Sequence, residues 1–390
     1  MTPKNQILFA LLRCAIFDEK LTEEEQSEYS AELLPQLMRT AELGDVSHLL
    51  ALGLKKNDLI PKEDTRFDKH IFKAVYRHEK LKCEYESLCT AFEAAHIPFL
   101  PLKGAILRDH YPEAWMRTSC DIDVLVRREH LDTAIAYLSD KLGYAEKERA
   151  THDISLFSPA GIHVELHFDL VEEGRANNAI DVLSSVWENV SCRHGYGYWY
   201  EMTDEFFYFY HVAHMAKHFE TGGCGIRPFI DLWILDHLDG ANSTVRDALL
   251  AKSGLLTFAN ACRALSQVWL GGRAHDALTA QMQEFLLHGG AYGSADNRVA
   301  LQQNKKGGRL GYIMSRIFVP YARLKRYYPI LEKHRWLTPF MQVRRWFMLI
   351  KPDVAKMARK ELQTNKSLSR NKADEMQDLL ENIGLFDGSL

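Results

Sequence analysis

The 390-residue sequence lacks the signatures of membrane-spanning, secreted and metal-ribbon proteins. No stretch approaches the roughly 18 uncharged apolar residues that a spanning helix needs. The apolar start, ILFALLRCAIF, is interrupted by Arg13 and has no small-residue cleavage site, so we expect no signal peptide. The seven cysteines are scattered without a C-x-x-C pair, which indicates reduced thiols rather than a disulfide framework or a zinc ribbon. Together these absences predict a soluble, cytoplasmic protein.

Three motifs of common nucleotide-binding and hydrolytic folds are also missing. The chain has no G-x-x-x-x-G-K-[ST], no strand-linked G-x-G-x-x-G and no G-x-S-x-G, which excludes P-loop, Rossmann and serine-hydrolase sites. With 46% hydrophobic and 26% charged residues, the composition is that of a globular chain and excludes intrinsic disorder and collagen-like or coiled-coil arrays. At this length we expect two or three domains of about 150 residues each.

Charge is nearly balanced overall, with 48 Lys and Arg against 52 Asp and Glu, but it is segregated along the chain. The basic segment, residues 305–360, contains 15 Lys or Arg and only two acids, a local charge of +13 that leaves −17 for the rest. Three interpretations stay open: aromatic core residues beneath a solvated basic face, which is the default, a surface for nucleic acid or another polyanion, and an interfacial membrane anchor. The aromatic residues interleaved with these cations are Tyr327, Tyr328, Trp336, Trp346 and Phe347.

Hydrophobic periodicity divides the chain into four regions. Residues 1–95 show the three-and-four spacing of helices, and residues 96–180 have the order strand, helix, strand, helix and hairpin. Helical patterns return in residues 181–300, which we expect to pack on this core, and continue as several short helices through a basic C-terminal region, residues 301–390. The prediction is an α+β fold whose small mixed sheet is flanked by N-terminal and C-terminal helical regions.

Two alternating strands carry acidic residues that can meet. In DIDVLV, alternation places Asp121 and Asp123 on one face, about 6.6 Å apart at Cα, while the apolar residues face the other way. In IHVELHF, the same alternation places Glu165 and His167 on one face. If the two strands are neighbours, Glu165 becomes a third oxygen ligand beside the aspartates. His167 and Asp169 are its rivals for that position, and we prefer Glu165 because Asp169 lies at the fraying end of the strand.

The chemistry that these residues indicate is metal-assisted transfer at phosphorus. Three carboxylates form the oxygen site that Mg²⁺ (or Mn²⁺) prefers, and two ions about 4 Å apart can stabilise both the attacking and the leaving oxygen. The Lys103-Gly104 step, between a strand and a short helix, supplies a phosphate cradle, because glycine lets the backbone approach and Lys103 adds a positive charge. Arg117 can reach a phosphate or form a salt bridge with one of the acids.

The sequence also resembles a known family. The hydrophobic-Lys-Gly step, the Asp-x-Asp pair in an apolar strand and the later acid in a hairpin strand are similar to the polymerase-β-type nucleotidyltransferase superfamily. LPLKGAIL, DIDVLV, HDISLF and GIHVELHFDL more closely resemble the bacterial group called nucleotidyltransferase family five, over roughly residues 95–235. The resemblance implies a nucleotidyltransferase core that moves a nucleoside monophosphate from an NTP to an acceptor. It implies Asp121, Asp123 and Glu165 as metal ligands and Gly104 as the phosphate-loop residue.

One departure from the superfamily pattern motivates an alternative. The loop glycine is usually followed by a second Gly or by Ser, whereas this chain has Ala105, which removes a hydroxyl or a freely turning backbone step at the triphosphate. The alternative is a catalytically inactive nucleotide-sensing or nucleic-acid-binding, antitoxin-like module with the same fold. The acceptor of an active enzyme stays open between a small molecule, a protein and a nucleic acid.

A histidine-rich helix follows the core. His211, His214 and His218 share one helical face, and GIRPFIDLWIL adds Arg227 and Asp231 one turn apart. A buried polar network that packs this helix against the sheet is the first interpretation, because no H-E-x-x-H sequence or cysteine pair accompanies the histidines. A substrate-binding role is the second interpretation, and a metal site is the third.

Overall fold

The structure is a computed structural model that describes residues 3–61, 63–171, 179–240, 242–287, 289–290, 293–348, 351–368 and 370–385. The chain divides into two units by its internal contacts. The first unit contains Met1–Ala216 and Ile226–Ala280, and the second contains Lys217–Gly225 and Gln281–Leu390. Among the helices of the described ranges, none is both long enough and apolar enough to cross a bilayer.

A mixed five-stranded sheet lies at the centre of the first unit. The strands in the described residues are β1 Phe99–Pro101, β2 Asp121–Val126, β3 Ala145–Arg149, β4 Asp153–Phe157, β5 His163–His167, β6 Val190–Cys192 and β7 Tyr200–Met202. The main sheet has the order β1-β2-β5-β4-β3, and β6 and β7 form a separate pair. The β2–β5 pair is parallel and the other neighbours are antiparallel, so the predicted mixed sheet is confirmed.

Helices precede and follow this sheet, as predicted. In the described residues they are α1 Pro3–Phe17, α2 Glu23–Ser27, α3 Leu34–Leu43, α4 Ser47–Lys56, α5 Asp68–Ala94, α6 Gly104–Leu107, α7 Leu131–Leu142, α8 Ala179–Ser184, α9 Asp204–Phe219, α10 Arg227–Asp236, α11 Ser243–Lys252, α12 Leu256–Leu270, α13 Ala277–Leu287, α14 Ala295–Lys305, α15 Gly308–Ile317, α16 Tyr321–Tyr327, α17 Ile330–Lys333, α18 Thr338–Met348, α19 Pro352–Ser367 and α20 Arg370–Asn382. The α+β fold class is thus confirmed, and the basic segment consists of several short helices.

One face of the sheet forms the core of the first unit. Ile122 and Val124 of β2 and Val164 and Leu166 of β5 are almost fully buried, together with apolar residues of α5 and α7. These four residues are the inward members of the two alternating strands. Helix α7 is capped by Gly143, whose φ of 71° is the left-handed conformation that favours glycine. Burial of this face leaves the acidic residues of β2 and β5 on the opposite face.

In the second unit, α16, α17 and α18 surround a small core whose buried members are Val319, Leu324 and Leu331, and further buried residues of this unit lie in α14 and α20. The default expectation, in which the aromatic residues of the basic segment are core, is wrong for Tyr327, Trp336 and Phe347, which are exposed. Each of these helices is short and only one of its sides meets the small core, so its other side faces outward.

A buried ionic network ties the loop before β2 to α10. Arg117 donates to both carboxylate oxygens of Asp231, from Nη2 at 2.9 Å and from Nε at 3.1 Å, and the Tyr111 hydroxyl donates to Asp231 at 2.7 Å. His211 Nε2 lies 2.9 Å from the Pro228 carbonyl oxygen of α10. In the described residues, no metal-capable group of three ligands includes His211 or its two helical neighbours. The geometry agrees with the polar-network interpretation for His211.

The carboxylate of Asp231 stabilises the folded protein by neutralising Arg117 in this network. We expect Asp231→Asn to lower the free energy of unfolding by about 3 kcal/mol, because Arg117 would stay buried without a counter-ion. Burial alone would raise the pKa of Asp231, but Arg117 more than offsets it, so the pKa lies below its usual value. The stabilisation is therefore present at neutral pH and is lost as pH falls through the folded-state pKa.

Urea unfolding at pH 7.5, followed by circular dichroism, measures the effect. The matched control is Asp236→Asn on the same helix, a half-buried carboxylate that accepts from the Tyr208 hydroxyl at 2.7 Å and lies 3.6 Å from Arg263. We expect the control to cost about 1 kcal/mol or less. Equal losses in the two variants would contradict a special role for the Arg117–Asp231 pair.

Candidate active site

The polar face of the sheet, defined by Asp121, Asp123, His163, Glu165 and His167, is built by the pairing of β2 with β5. The register places Asp121 beside His163 and Asp123 beside Glu165. Because the strands are parallel and in register, their alternating side chains project to the same side. The condition set in the sequence analysis, that the two acidic strands are neighbours, is therefore met.

Asp123 is the electrostatic centre of this face. Its Oδ1 accepts from Lys103 Nζ at 2.7 Å and lies 3.0 Å from His167 Nε2. Burial alone would raise the pKa of Asp123, but the Lys103 ammonium and the His167 imidazole hold it well below its usual range. Burial would lower the pKa of Lys103, and the Asp123 carboxylate more than offsets this, so the ammonium stays charged. Lys103 and His167 thus converge on one buried carboxylate.

The pKa of Asp121 shifts in the opposite direction to that of Asp123. Burial, followed by the charges of Asp123 and Glu165, raises the pKa of Asp121 to about 6. A carboxyl with a raised pKa is one whose ionised form lacks sufficient positive charge nearby. Burial and the neighbouring carboxylates therefore both disfavour the ionised form of Asp121.

The donor atoms of the polar face form two overlapping groups that could hold a metal ion. One ligand atom each from Asp121, His163 and Glu165 lies within 4.8 Å of the others, and the same is true of Asp123, Glu165 and His167. Glu165 belongs to both groups, whereas the two aspartates belong to different ones. The donor set is chemically suited to a divalent cation, since it combines carboxylates with imidazoles.

A third metal-capable group, which the sequence did not reveal, adjoins these two. His152 and Asp153 at the start of β4 combine with His167. On the same face, the Ser155 hydroxyl lies 2.7 Å from His163 Nε2. His163 and His167 are therefore already in hydrogen bonds that orient their rings, the usual arrangement around ligating histidines.

The Lys103 turn, residues 103–107, follows β1 beside the polar face. Lys103 has a φ of 43°, a backbone conformation that side chains rarely adopt, and immediately precedes α6. A Cβ added to Gly104 would lie 3.1 Å from Arg117 Nη1 and 3.3 Å from Ser119 Cβ. Glycine thus allows the close approach of this turn to the loop before β2, since a side chain here would push Arg117 or Ser119 away.

Arg117 does not contact the acidic residues of the polar face. Its guanidinium is bound to Asp231, as described above, and its Nη1 also donates to the Thr118 carbonyl at 3.0 Å. The salt bridge that the sequence left open therefore forms with Asp231 rather than with Asp121 or Asp123. The partner lies 114 residues away in the sequence, beyond the reach of any local pattern.

Two residues near the site were not found from the sequence. Tyr210 of α9 is buried and interacts electrostatically with Lys103, Asp123 and Glu165, and burial raises the pKa of its hydroxyl. Arg108 is 6% exposed and donates to the Gly104 carbonyl at 2.7 Å and the Ser119 hydroxyl at 3.1 Å. Tyr210 lies in a run of aromatic residues of α9, 206–210, all of which are buried.

Comparison with known proteins agrees with this geometry. The sequence model of a family described as uncharacterised nucleotidyltransferase matches residues 31–271, more than half of the chain and all of the strands named above. The chain belongs to this nucleotidyltransferase family, as the resemblance implies. No curated protein and no solved structure matches the chain.

The two aspartates of β2 should affect stability in opposite directions. In metal-free protein at pH 7.5, we expect Asp121→Asn to raise the free energy of unfolding by about 1–2 kcal/mol, because it removes a crowded charge. Because the pKa of Asp121 is raised, the wild type loses stability as pH rises through about 6. The stabilisation by Asp121→Asn should therefore vanish near pH 4, where the wild-type carboxyl is protonated.

Asp123→Asn is the matched comparison on the same strand. We expect it to cost about 3 kcal/mol at pH 7.5, because Lys103 and His167 would lose their shared carboxylate. Urea titrations of wild type and both variants, with a chelator present, measure the differences at pH 4 and 7.5. Changes of the same sign for both variants at pH 7.5 would contradict this description of the polar face.

Proposed function

We propose that this chain is an active nucleotidyltransferase that moves a nucleoside monophosphate from an NTP to a hydroxyl of an acceptor, whether small molecule, protein or nucleic acid. The observation that carries the proposal is the register of β2 and β5, in which Asp123 pairs with Glu165 and Asp121 lies two residues away on the same face. Family membership supports the reaction class, and the donor set supports a divalent ion.

In this proposal, Asp121, Asp123 and Glu165 hold Mg²⁺ or Mn²⁺. When bound, such an ion neutralises phosphate charge and stabilises the attacking and leaving oxygens. The chain's own contribution is to position the carboxylates. His167 fixes the orientation of Asp123 through its hydrogen bond, and Tyr210 fills space beside the site and limits the water that reaches it.

The phosphates of the NTP would bind at the Lys103 turn. The amides of Ala105 and Ile106 donate to the carbonyls of Leu102 and Lys103, and the Lys103 and Gly104 amides would be the donors to a phosphate. Lys103 Nζ would exchange Asp123 for a phosphate oxygen when the ion takes over the charge of the carboxylate. This exchange requires only a side-chain rotation, because the ammonium and the turn belong to the same residue.

Arg108 gives independent support for an anion at this turn. Within the described residues, its guanidinium donates only to the two neutral oxygen atoms named above, although it is nearly fully buried. Burial, and then repulsion by Arg117, lower the pKa of Arg108. A buried guanidinium that donates only to neutral oxygen atoms would be stabilised by a phosphate bound beside it. Arg117 would add charge to the same region while Asp231 holds it in place.

A second candidate is a nucleotide-sensing module without turnover. The contact between Lys103 Nζ and Asp123 Oδ1 favours this candidate. In this contact the ammonium occupies the carboxylate oxygen that a catalytic metal ion would bind. Ala105, in place of Gly or Ser, agrees with this alternative. The two candidates differ in whether Lys103 leaves Asp123 when metal and NTP arrive together.

The test is label transfer by purified full-length protein. The protein is mixed with Mg²⁺ or Mn²⁺, each α-labelled NTP and cell extract, and both labelled products and pyrophosphate are measured. We expect transfer from at least one NTP, and we expect Asp121→Asn and Asp123→Asn to reduce it by at least about 100-fold, because each replaces a carboxylate ligand with a neutral amide.

Asp169→Asn is the matched control. Asp169 follows β5 and pairs with Arg128 at 3.4 Å, so its loss should leave transfer within about twofold of wild type. Equal labelling by wild type and both β2 variants would disprove the catalytic proposal. Saturable NTP binding with no transfer and no pyrophosphate release would instead establish the sensing module.

A further inference from the structure

Exposed apolar side chains are concentrated in the second unit. Of the 17 large hydrophobic residues that are exposed among the described residues, 11 lie within residues 310–348. This stretch is part of the basic segment and is a tenth of the chain. Scattered exposed apolar residues need no explanation, but a concentration of this kind marks an interaction surface.

Helix α18 shows the pattern most clearly. Phe340, Val343 and Phe347 follow the three-and-four spacing of one helical face, and the two phenylalanines are 62% and 66% exposed. At about 100° per residue, this stripe lies opposite Met341 and Gln342, the residues that face the small core. The side of α18 that should be polar in a water-exposed helix is therefore apolar.

Helix α15 repeats the arrangement. Leu310, Met314 and Ile317 are exposed at spacings of four and three, opposite the buried Tyr312. Leu310 is 75% exposed, so the stripe is not covered by neighbouring helices. Two short helices thus each combine a narrow inward face with an outward apolar stripe.

The C-terminal end of α15 and the residues after it contact α18. Trp346 Nε1 donates to the Ile317 carbonyl at 2.9 Å, and the Trp346 ring meets Phe318 edge-on with centroids 5.7 Å apart. Gln342 donates to the Val319 carbonyl. The end of α15 therefore lies against α18. We name the outward residues of α15 and α18, with the exposed Phe318 and Trp336, the apolar-basic surface.

The apolar-basic surface belongs to a segment that is rich in exposed cations. The basic segment has a charge of +13, with Glu332 and Asp353 as its two acids. Exposed cations in this segment include Lys305, Lys306, Arg323, Lys333, Arg335 and Lys351. Net positive charge beside apolar stripes is complementary to a partner that offers both anionic groups and an apolar interior.

We propose that the apolar-basic surface binds the interface of an anionic lipid bilayer. Amphipathic helices with aromatic and aliphatic residues on one face and Lys and Arg beside it lie in the headgroup region without crossing the membrane. The ring of Trp336 lies beside that of Phe340, with centroids 6.3 Å apart. Tryptophan is enriched at the headgroup region of membranes. A nucleic acid would use the cations and aromatic rings but leave Leu310, Met314 and Ile317 in water.

Vesicle co-sedimentation of the full chain tests the proposal. We expect binding to vesicles of phosphatidylcholine with phosphatidylglycerol, weaker binding to phosphatidylcholine alone, and weakening of the first by high salt. The double variant Phe340→Ser/Phe347→Ser should lower the partition coefficient about tenfold or more, because it removes apolar anchors and keeps every charge. Both side chains are exposed, so the variant should keep the wild-type circular dichroism spectrum.

The matched control is Phe72→Ser/Tyr76→Ser on α5 in the first unit. This pair is also aromatic, stacked and exposed, at 71% and 58%, and its loss should leave vesicle binding unchanged. No binding to anionic vesicles, or equal binding by wild type and the Phe340/Phe347 variant, would overturn the proposal. If the protein binds single-stranded RNA but not vesicles, the apolar-basic surface is a nucleic-acid surface instead. If light scattering shows a dimer that the Phe340/Phe347 variant abolishes, and vesicles are not bound, the surface binds a second copy of the chain.

Discussion

The parallel, in-register pairing of β2 with β5 is the constraint on which both the core and the site depend. The same alternation that buries Ile122 and Val164 sends Asp123 and Glu165 to the other face. A slip of one residue would bury the acids of one strand and expose its core residues, so the hydrophobic effect specifies the register strongly. Burial of apolar residues on one side thereby fixes the distance between catalytic candidates on the other.

The charges of the polar face are distributed unevenly for a physical reason. Lys103 and His167 both converge on Asp123, whereas Asp121 is buried beside two carboxylates, and burial followed by their charges raises the pKa of Asp121 to about 6. Structural sites generally avoid such crowding, whereas sites for cations retain it because the ion relieves it. Part of the −17 charge outside the basic segment therefore belongs to a site that a divalent ion would neutralise. The +13 charge belongs to a different unit and a different surface.

Sequence reasoning succeeded where a short-range period determines the structure. DIDVLV and IHVELHF alternate cleanly, so their strand state, their faces and the meeting of Asp123 with Glu165 could be predicted. Strand β3, AEKER, is exposed throughout and has no alternation, so no pattern marks it. The Arg117–Asp231 pair and the approach of Tyr210 depend on how α9 and α10 pack against distant loops. In the basic segment, periodicity identified helices but could not show that their outward faces are apolar.

The central claim is that the acidic residues of β2 and β5 hold a metal together with an NTP. The most direct measurement is a crystal structure of the protein with Mn²⁺ and a non-hydrolysable NTP analogue, in which anomalous scattering locates the ion. The account predicts Mn²⁺ bound to Asp121, Asp123 and Glu165, with Lys103 Nζ moved from Asp123 to a phosphate oxygen. Mn²⁺ bound away from these carboxylates, or a nucleotide bound while Lys103 remains on Asp123, would contradict it.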